Sequence, residues 1–429
     1  MNLLPTAVRR VLILFLVGLV ALTSVPLAIT AHLVAAAGEV AVNNNEATTD
    51  FPDGVNFTLD VEGARKITRI ELLYQAADLE TLNLEVPEFQ PRKHVTLSHH
   101  LDFRVNFEPS GIDITYRWRL TDDKGNTTET EPKTLLWSDN RFDWRSQSSH
   151  DVTVYGYRNN DAFDKLILDS AQSTVDRLKV EYGVESVTPI RIWVYNSKKD
   201  FSAAQQGNSS EWIAGTAYPQ LHVILAILPE GNKGEVGRVI PHEISHQLLY
   251  QATMNPFNGP PTWLDEGLAV LVQDGGNEGF PAQVEDAAEK GRLFSVRALN
   301  SSFPYDPADA ALAYAESLSI VRFIIDHFGG DKLAAVIAAY RDGVSHDEAL
   351  MKGLSVDIDG LDRLWKESLD YPGDQPRGTG TTGHDSRWTD FFGTGLASGV
   401  LVILIALLAV GLFGLTAGRR TRRPAQHLG

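Results

Sequence analysis

His242, Glu243 and His246 fall in the run Pro241-His242-Glu243-Ile244-Ser245-His246, the pattern H-E-x-x-H. On a helix, residues four apart share one face. Two imidazole nitrogens can therefore aim at a single point. Two neutral imidazoles and one carboxylate make an open zinc site whose fourth position is left to water. Glu243 stands about 100° further round the helix. It is off the ligand ring but within reach of that water as a general base. The third ligand is expected from Trp263-Leu264-Asp265-Glu266-Gly267, with Glu266 the best candidate. Its helix is predicted over 261–273 and opens with proline at the first helical position. A purely structural zinc site has no use for Glu243, so the intact set favours catalysis.

H-E-x-x-H followed by W-L-x-E-G-L-A resembles the gluzincin metallopeptidases, specifically the peptidase MA-like group. The resemblance extends through Tyr314-Ala315-Glu316-Ser317 and covers roughly 140–370. It implies zinc as cofactor, His242, His246 and Glu266 as ligands, and Glu243 as base. Nineteen residues separate His246 from Glu266. That is one more than in the aminopeptidase branch and the same as in the thermolysin-like branch, so Asp265 stays in contention as the ligand. Related gluzincins stabilise the oxyanion with a tyrosine on a helix downstream of the ligand glutamate. Tyr314 is the nearest match by position; the competing reading is a tyrosine packed in the core.

Many gluzincins that trim N-termini also carry G-x-M-E-N on the edge strand, about 27 residues before the first histidine. Its glutamate anchors the substrate amine. Here Gly215 lies 27 positions before His242, and Tyr218 stands where that glutamate would be. No acid lies between Glu211 and Glu230. The expected activity is that of an endopeptidase on peptide or protein substrates. The alternative is a non-catalytic cell-surface binding protein with a structural zinc site.

Composition narrows the setting. The 429 residues allow two or three domains. A net charge of −17 argues against nucleic acid as a partner. There are no cysteines, so any metal must take histidine and carboxylate ligands. Arg9 and Arg10 precede an apolar run, so 1–37 reads as a signal peptide or N-terminal anchor. Residues 396–417 carry no charge over 22 positions, enough to cross ~30 Å of hydrocarbon at 1.5 Å per residue. Arg419, Arg420, Arg422 and Arg423 follow, so 418–429 is expected as a cytoplasmic basic tail. The expected location is the cell membrane, single-pass, with the catalytic domain outside the cytoplasm. The sequence does not set the oligomeric state.

The fold class expected is α+β. Residues 48–139 show short strands with period-two alternation, as in Ile112 to Leu120, and turn signals such as Asp123-Lys124-Gly125-Asn126. They are expected as an immunoglobulin-like β-sandwich, with Trp118 and Trp137 in its core. Asn43-Asn44-Asn45-Glu46 reads as a polar spacer before it. Residues 140–370 are expected as the zinc domain. It should hold a helix over 161–182, strands over 189–195 and 221–228, and helices from there on. The 221–228 strand is expected beside the metal helix as the edge against which substrate pairs. His222 reads as a satisfied strand residue, and His327 and His346 as surface residues. Pro241 either starts the metal helix or kinks one that began near Glu235. Asp306 and Pro307 are the cap and first turn of a helix to Phe328, stopped by Gly329-Gly330. Residues 371–395 are rich in Gly, Thr, Pro, Asp and Arg and read as a flexible linker.

Overall fold

The computed structural model describes residues 40–77, 79–184, 186–205 and 214–373. The signal or anchor at 1–37, nearly all of the linker, the apolar run at 396–417 and the basic tail lie outside them. No helix among the described residues is long and apolar enough to cross a membrane.

The N-terminal part is β-structure: β1 Val40–Asp50, β2 Gly54–Ala76, β3 Asn83–Glu85, β4 Arg92–Asp102, β5 Ile112–Asp122, β6 Thr127–Glu129 and β7 Lys133–Trp137. Strand β2 organises it. Its first half pairs with β1 and β4, its second half with β5 and β3, and the register breaks between Glu62 and Ile67. Both halves contribute to one buried core. Val55, Phe57, Leu59 and Val61 point inward, as do Ile112, Ile114, Tyr116, Trp118 and Leu120. The Phe57 ring meets Tyr116 edge-on, with centroids 4.9 Å apart. The region expected as an immunoglobulin-like β-sandwich is β-rich, its seven strands linked in the order β1-β2-β5-β6, with β3 and β4 pairing with β2 and β7 with β5. Alternation reports which face of a strand is buried. It does not report whether two buried stretches are one continuous strand.

The expected spacer at Asn43–Glu46 is part of β1. Its polar residues are spent on the fold: Asn43 Nδ2 donates to Asp60 at 2.7 Å, and buried Asn45 accepts from Trp118 Nε1 at 3.1 Å. An edge strand tolerates such polarity because one of its sides faces water.

The C-terminal part opens with β8 Arg145–Ser148 and β9 Val152–Gly156, followed by helix α1 Asp161–Tyr182. Asn160 caps α1 at its start and left-handed Gly183 at its end, matching the range expected. Then come β10 Ile190–Tyr195, a short α2 Lys198–Ser202, β11 Gly215–Tyr218 and β12 Val223–Ile227. The sheet order is β11-β12-β10-β9-β8, with β9, β10 and β12 parallel and both edges antiparallel. Seven α-helices follow among the described residues: α3 Lys233–Thr253, α4 Thr262–Val272, α5 Phe280–Glu289, α6 Pro307–Phe328, α7 Gly330–Tyr340, α8 His346–Leu354 and α9 Ile358–Ser368.

The inner strands β10 and β12 of this second sheet are buried on both faces. Ile192, Val194, Ile224 and Ala226 pack on the helices. Trp193, Tyr195, Val223 and Leu225 pack into the core of the N-terminal sheet. Polar ties cross the seam: Arg191 Nη2 to Asp113 at 2.6 Å, and Ser110 to the Tyr195 hydroxyl at 3.2 Å. The N-terminal sheet thus forms one wall of the domain that carries the histidines. That explains the continuous apolar run of β12, where a half-exposed strand would alternate.

Candidate metal centre

Helix α3 begins at Lys233, eight residues before Pro241, so the proline lies inside it. Proline lacks the N–H that would bond the carbonyl four residues back. That carbonyl belongs to Gly237, and it accepts instead from the backbone N–H of Asp274 at 2.9 Å. The approach is close: a Cβ on Gly237 would stand 3.0 Å from Asp274 Oδ2. The group freed by Pro241 therefore pins the segment after α4 against the metal helix.

His242 and His246 lie one turn apart on α3, both buried. Their Nε2 atoms stand 3.5 Å and 3.7 Å from Glu266 Oε2. One ligand atom from each of the three residues falls within a 4.8 Å group. Glu266 is carried on α4, anchored by buried Trp263, whose Nε1 donates to Asn300 at 3.2 Å. The outer nitrogens are engaged elsewhere. His242 Nδ1 donates to Gln273 Oε1 at 3.1 Å, and His246 Nδ1 to Asp265 Oδ1 at 2.7 Å. Both imidazoles then turn Nε2 inward, toward Glu266. Buried His246 Nε2 and Glu266 Oε2 have no hydrogen-bond partner among the described residues. Unpartnered buried polar atoms are costly, and these two, converging with His242 Nε2, fit a divalent cation. Asp265 is turned to the back of His246, so the ligand-like carboxylate is that of Glu266.

Burial disfavours a charged imidazole, but Asp265 and Glu266 outweigh it and push His246 up to about 10. Glu243 is buried beside the ligands. Burial holds its carboxyl above the usual range, with Glu266 adding to this and the two imidazoles opposing it. Its Oε2 has no hydrogen-bond partner among the described residues.

The strand next to Glu243 is β11, which lies outside β12 and forms the edge of the sheet. The edge is therefore Gly215–Tyr218, not 221–228 as expected. Pattern reading missed it because four residues with two half-buried positions give too short a signal. A Cβ on Gly215 would come within 2.7 Å of Glu243 Oε1, so glycine is what allows this contact. At the far end of β11 the Tyr218 hydroxyl donates to Gln205 Oε1 at 3.2 Å.

Tyr314, on α6, is also brought to the centre. It is 1% exposed, its hydroxyl reaches Glu266, and its ring packs edge-on against Phe303 at 5.0 Å. Burial, followed by the Glu266, Glu243 and Asp265 carboxylates, holds the phenol well above its ordinary range. It is a neutral donor. Gln273 is the residue that sequence reasoning missed altogether; it ends the predicted helix, and nothing in its spacing marks it. Two of the other histidines are placed differently from expectation. His222 sits in a left-handed turn just before β12, and His346 is partly buried against the Tyr340 hydroxyl at 3.2 Å.

Residues 170–371 match the family model of the peptidase MA superfamily. No curated protein matches the chain. Among solved structures, catalytic inactive OgpA from Akkermansia muciniphila, in complex with an O-glycopeptide substrate, is 10% identical over 24% of this chain and 30% of that one, with a TM-score of 0.20. The putative polysaccharide deacetylase BA0330 from Bacillus anthracis is 10% identical over 39% of this chain and 54% of that one, with a TM-score of 0.18. The chain spans about a third and about half of the length of these two structures, and likenesses this distant carry no argument here.

Proposed function

We propose a zinc metallopeptidase that cuts within extended polypeptides, a reading supported by the match of residues 170–371 to the peptidase MA superfamily model. The observation that carries it is the convergence of His242, His246 and Glu266 within 4.8 Å, with buried Glu243 alongside. These three residues would hold the ion. Zinc so held supplies Lewis-acid polarisation of a carbonyl and a lowered pKa for water.

The chain's own groups account for the rest. Glu243 is placed to accept a proton from the attacking water and return it to the leaving amine. Its raised pKa suits both halves of that task. Tyr314 is a protonated donor close to the ligands and serves the developing oxyanion. Strand β11 offers its free edge to the backbone of an extended peptide, holding the scissile bond next to Glu243. Cleavage within chains is supported by Tyr218, a neutral phenol already committed to Gln205, at the place where a trimming enzyme needs a carboxylate. Glu211 lies outside the described residues.

The test is metal analysis combined with one isosteric variant. Glu243→Gln should keep about one zinc per chain and lose peptidase activity by at least about a hundredfold, since general-base steps contribute roughly 10²–10⁴. Wild-type turnover in that variant would sink the reading. A matched peptide pair with free and acetylated N-termini tests endopeptidase action; a strong preference for the free amine would overturn it.

We also propose that the domain works outside the cytoplasm on a single-pass anchor, supported by the uncharged 396–417 run and the four arginines after it. Protease added outside intact cells should release the domain by cutting between 371 and 395. Protection of the whole chain would contradict this.

A further inference from the structure

A cavity of about 190 Å³ opens at the seam between the N-terminal sheet and the catalytic sheet. Its walls include Phe51, Phe103, Phe107 and Trp137 from the N-terminal side and Gln205 from the other, with Glu108 among them. It is smaller than the roughly 300–1,000 Å³ of sites that take a whole small molecule, and suits one long side chain.

The cavity adjoins the proposed substrate edge. Tyr218, the last residue of β11, donates to Gln205, and its ring centroid lies 6.2 Å from that of Phe107. Tyr218 also feels the charge of Glu243. A peptide laid along β11 past Glu243 would therefore bring a side chain to the mouth of this cavity.

Its charged lining is Arg104 and Glu108, and burial pushes the Glu108 carboxyl up to about 7, so it is a carboxylate above that. Arg104 borders it but is engaged, with Nη1 3.3 Å from Asp53 and Nη2 3.1 Å from Asp102. The Glu108 backbone carbonyl accepts from Trp137 Nε1 at 3.0 Å. Its carboxylate has no hydrogen-bond or ion-pair partner among the described residues. Several aromatic walls and one uncommitted carboxylate complement a cation on an apolar stem.

We propose that this cavity is a substrate subsite for one lysine or arginine side chain, its stem against Phe103, Phe107 and Trp137 and its charge on Glu108. The inference rests on the peptidase reading and names part of its substrate class. It also gives the N-terminal sheet a share in recognition.

The experiment uses the full-length, zinc-loaded protein at about pH 8 in two arms. In the first, a position-scanned peptide library is digested by wild type, Glu108→Gln and Phe107→Leu. A lysine or arginine should recur at one fixed distance from the cut. The ratio of kcat/KM for a lysine peptide over its norleucine counterpart should fall about tenfold or more in Glu108→Gln, and less in Phe107→Leu. No basic preference at any fixed position, or a ratio unchanged in Glu108→Gln, overturns the proposal. In the second arm, anisotropy measures binding of the same acetylated peptides, with no need for turnover. Tighter lysine binding that depends on Glu108 supports the subsite even if no peptide is cut, which separates its fate from that of the peptidase reading. Equal affinity for the two peptides overturns the subsite whatever the activity.

Discussion

The two imidazoles of α3 are equivalent in the H-E-x-x-H pattern and unequal in their surroundings. His246 gives its outer N–H to a carboxylate, Asp265, whose side chain is 33% exposed. His242 gives its outer N–H to an amide, Gln273, which is 6% exposed and is itself held by donation to the Gly275 carbonyl at 2.8 Å. The difference follows from depth. Glu243, Asp265 and Glu266 already place three acidic groups around one small site. A fourth at position 273 would add like-charge repulsion in a buried setting. The amide fixes the tautomer and ring angle of His242 without adding charge. The carboxylate does the same for His246 and makes it more basic as well.

Breaking either ligand should have the largest effect and should not tell the two sides apart. His242→Ala and His246→Ala should each fall from about one zinc per chain to almost none, read by elemental analysis after dialysis. Full metal retention in either variant would remove that residue from the ligand set.

The supports should separate them. Loss of such an outer partner weakens metal binding roughly 10–100-fold. Asp265→Ala should lie near the upper end and Gln273→Ala near the lower, with zinc affinities measured by competition against a chelator. The pH dependence sharpens this contrast. Zinc must displace the proton on His246, which the carboxylates hold on up to about pH 10. Wild-type affinity should therefore keep rising through the neutral range and drop in acid. Asp265→Asn should let that proton go at lower pH and flatten the rise, whereas Gln273→Leu should leave the steep range in place. Equal pH profiles for the two variants would dissolve the distinction between charged and neutral support.

Much of this centre was legible in the sequence because helical spacing is rigid: a four-residue interval fixes two side chains on one face. The ends of α6 were legible for a similar local reason, since Asp306 and Gly329 satisfy terminal backbone groups within a few residues. What stayed hidden depends on distant partners. Gln273 acts on His242 through a turn that the Gly237–Asp274 bond ties to the helix. Strand β11 is short, and its role comes from lying against Glu243. The register breaks in β2 and the burial of the second sheet against the N-terminal one are tertiary facts that period-two alternation cannot carry.

Gly237 tests that hidden link at smaller amplitude. In Gly237→Ala the new methyl would stand 3.0 Å from Asp274 Oδ2 and 3.1 Å from its Cβ. Crowding of this kind typically costs about 1–3 kcal/mol, set against about 1 kcal/mol of improved helix propensity. Net destabilisation should be near 1 kcal/mol in urea. The informative readout is the effect of combining it with each support mutation. Because the methyl displaces the 273–276 turn, Gly237→Ala should add little to Gln273→Ala in zinc affinity but add fully to Asp265→Ala. Additivity with both would mean that the turn does not position Gln273.

Pro241→Ala should have the smallest effect, and the reason is the same bond. Alanine is favoured over proline by about 3 kcal/mol inside an ordinary helix. Most of that gain is expected where proline leaves a carbonyl unsatisfied, and here the Gly237 carbonyl already accepts from Asp274. A carbonyl has two lone pairs, so the N–H restored at position 241 can share it without expelling the turn. Proline also restrains the unfolded chain, and its removal gives back roughly 0.4–1 kcal/mol in the opposite direction. The net change should be a stabilisation of at most about 1–2 kcal/mol. Zinc affinity should stay within about threefold of wild type, a shift of under 1 kcal/mol. If instead zinc affinity falls tenfold or more while the helix gains stability, the new N–H has taken the carbonyl from Asp274. The neutral support of His242 would then depend on proline at position 241, one residue before the first histidine, and the two sides of the centre would differ in backbone as well as in charge.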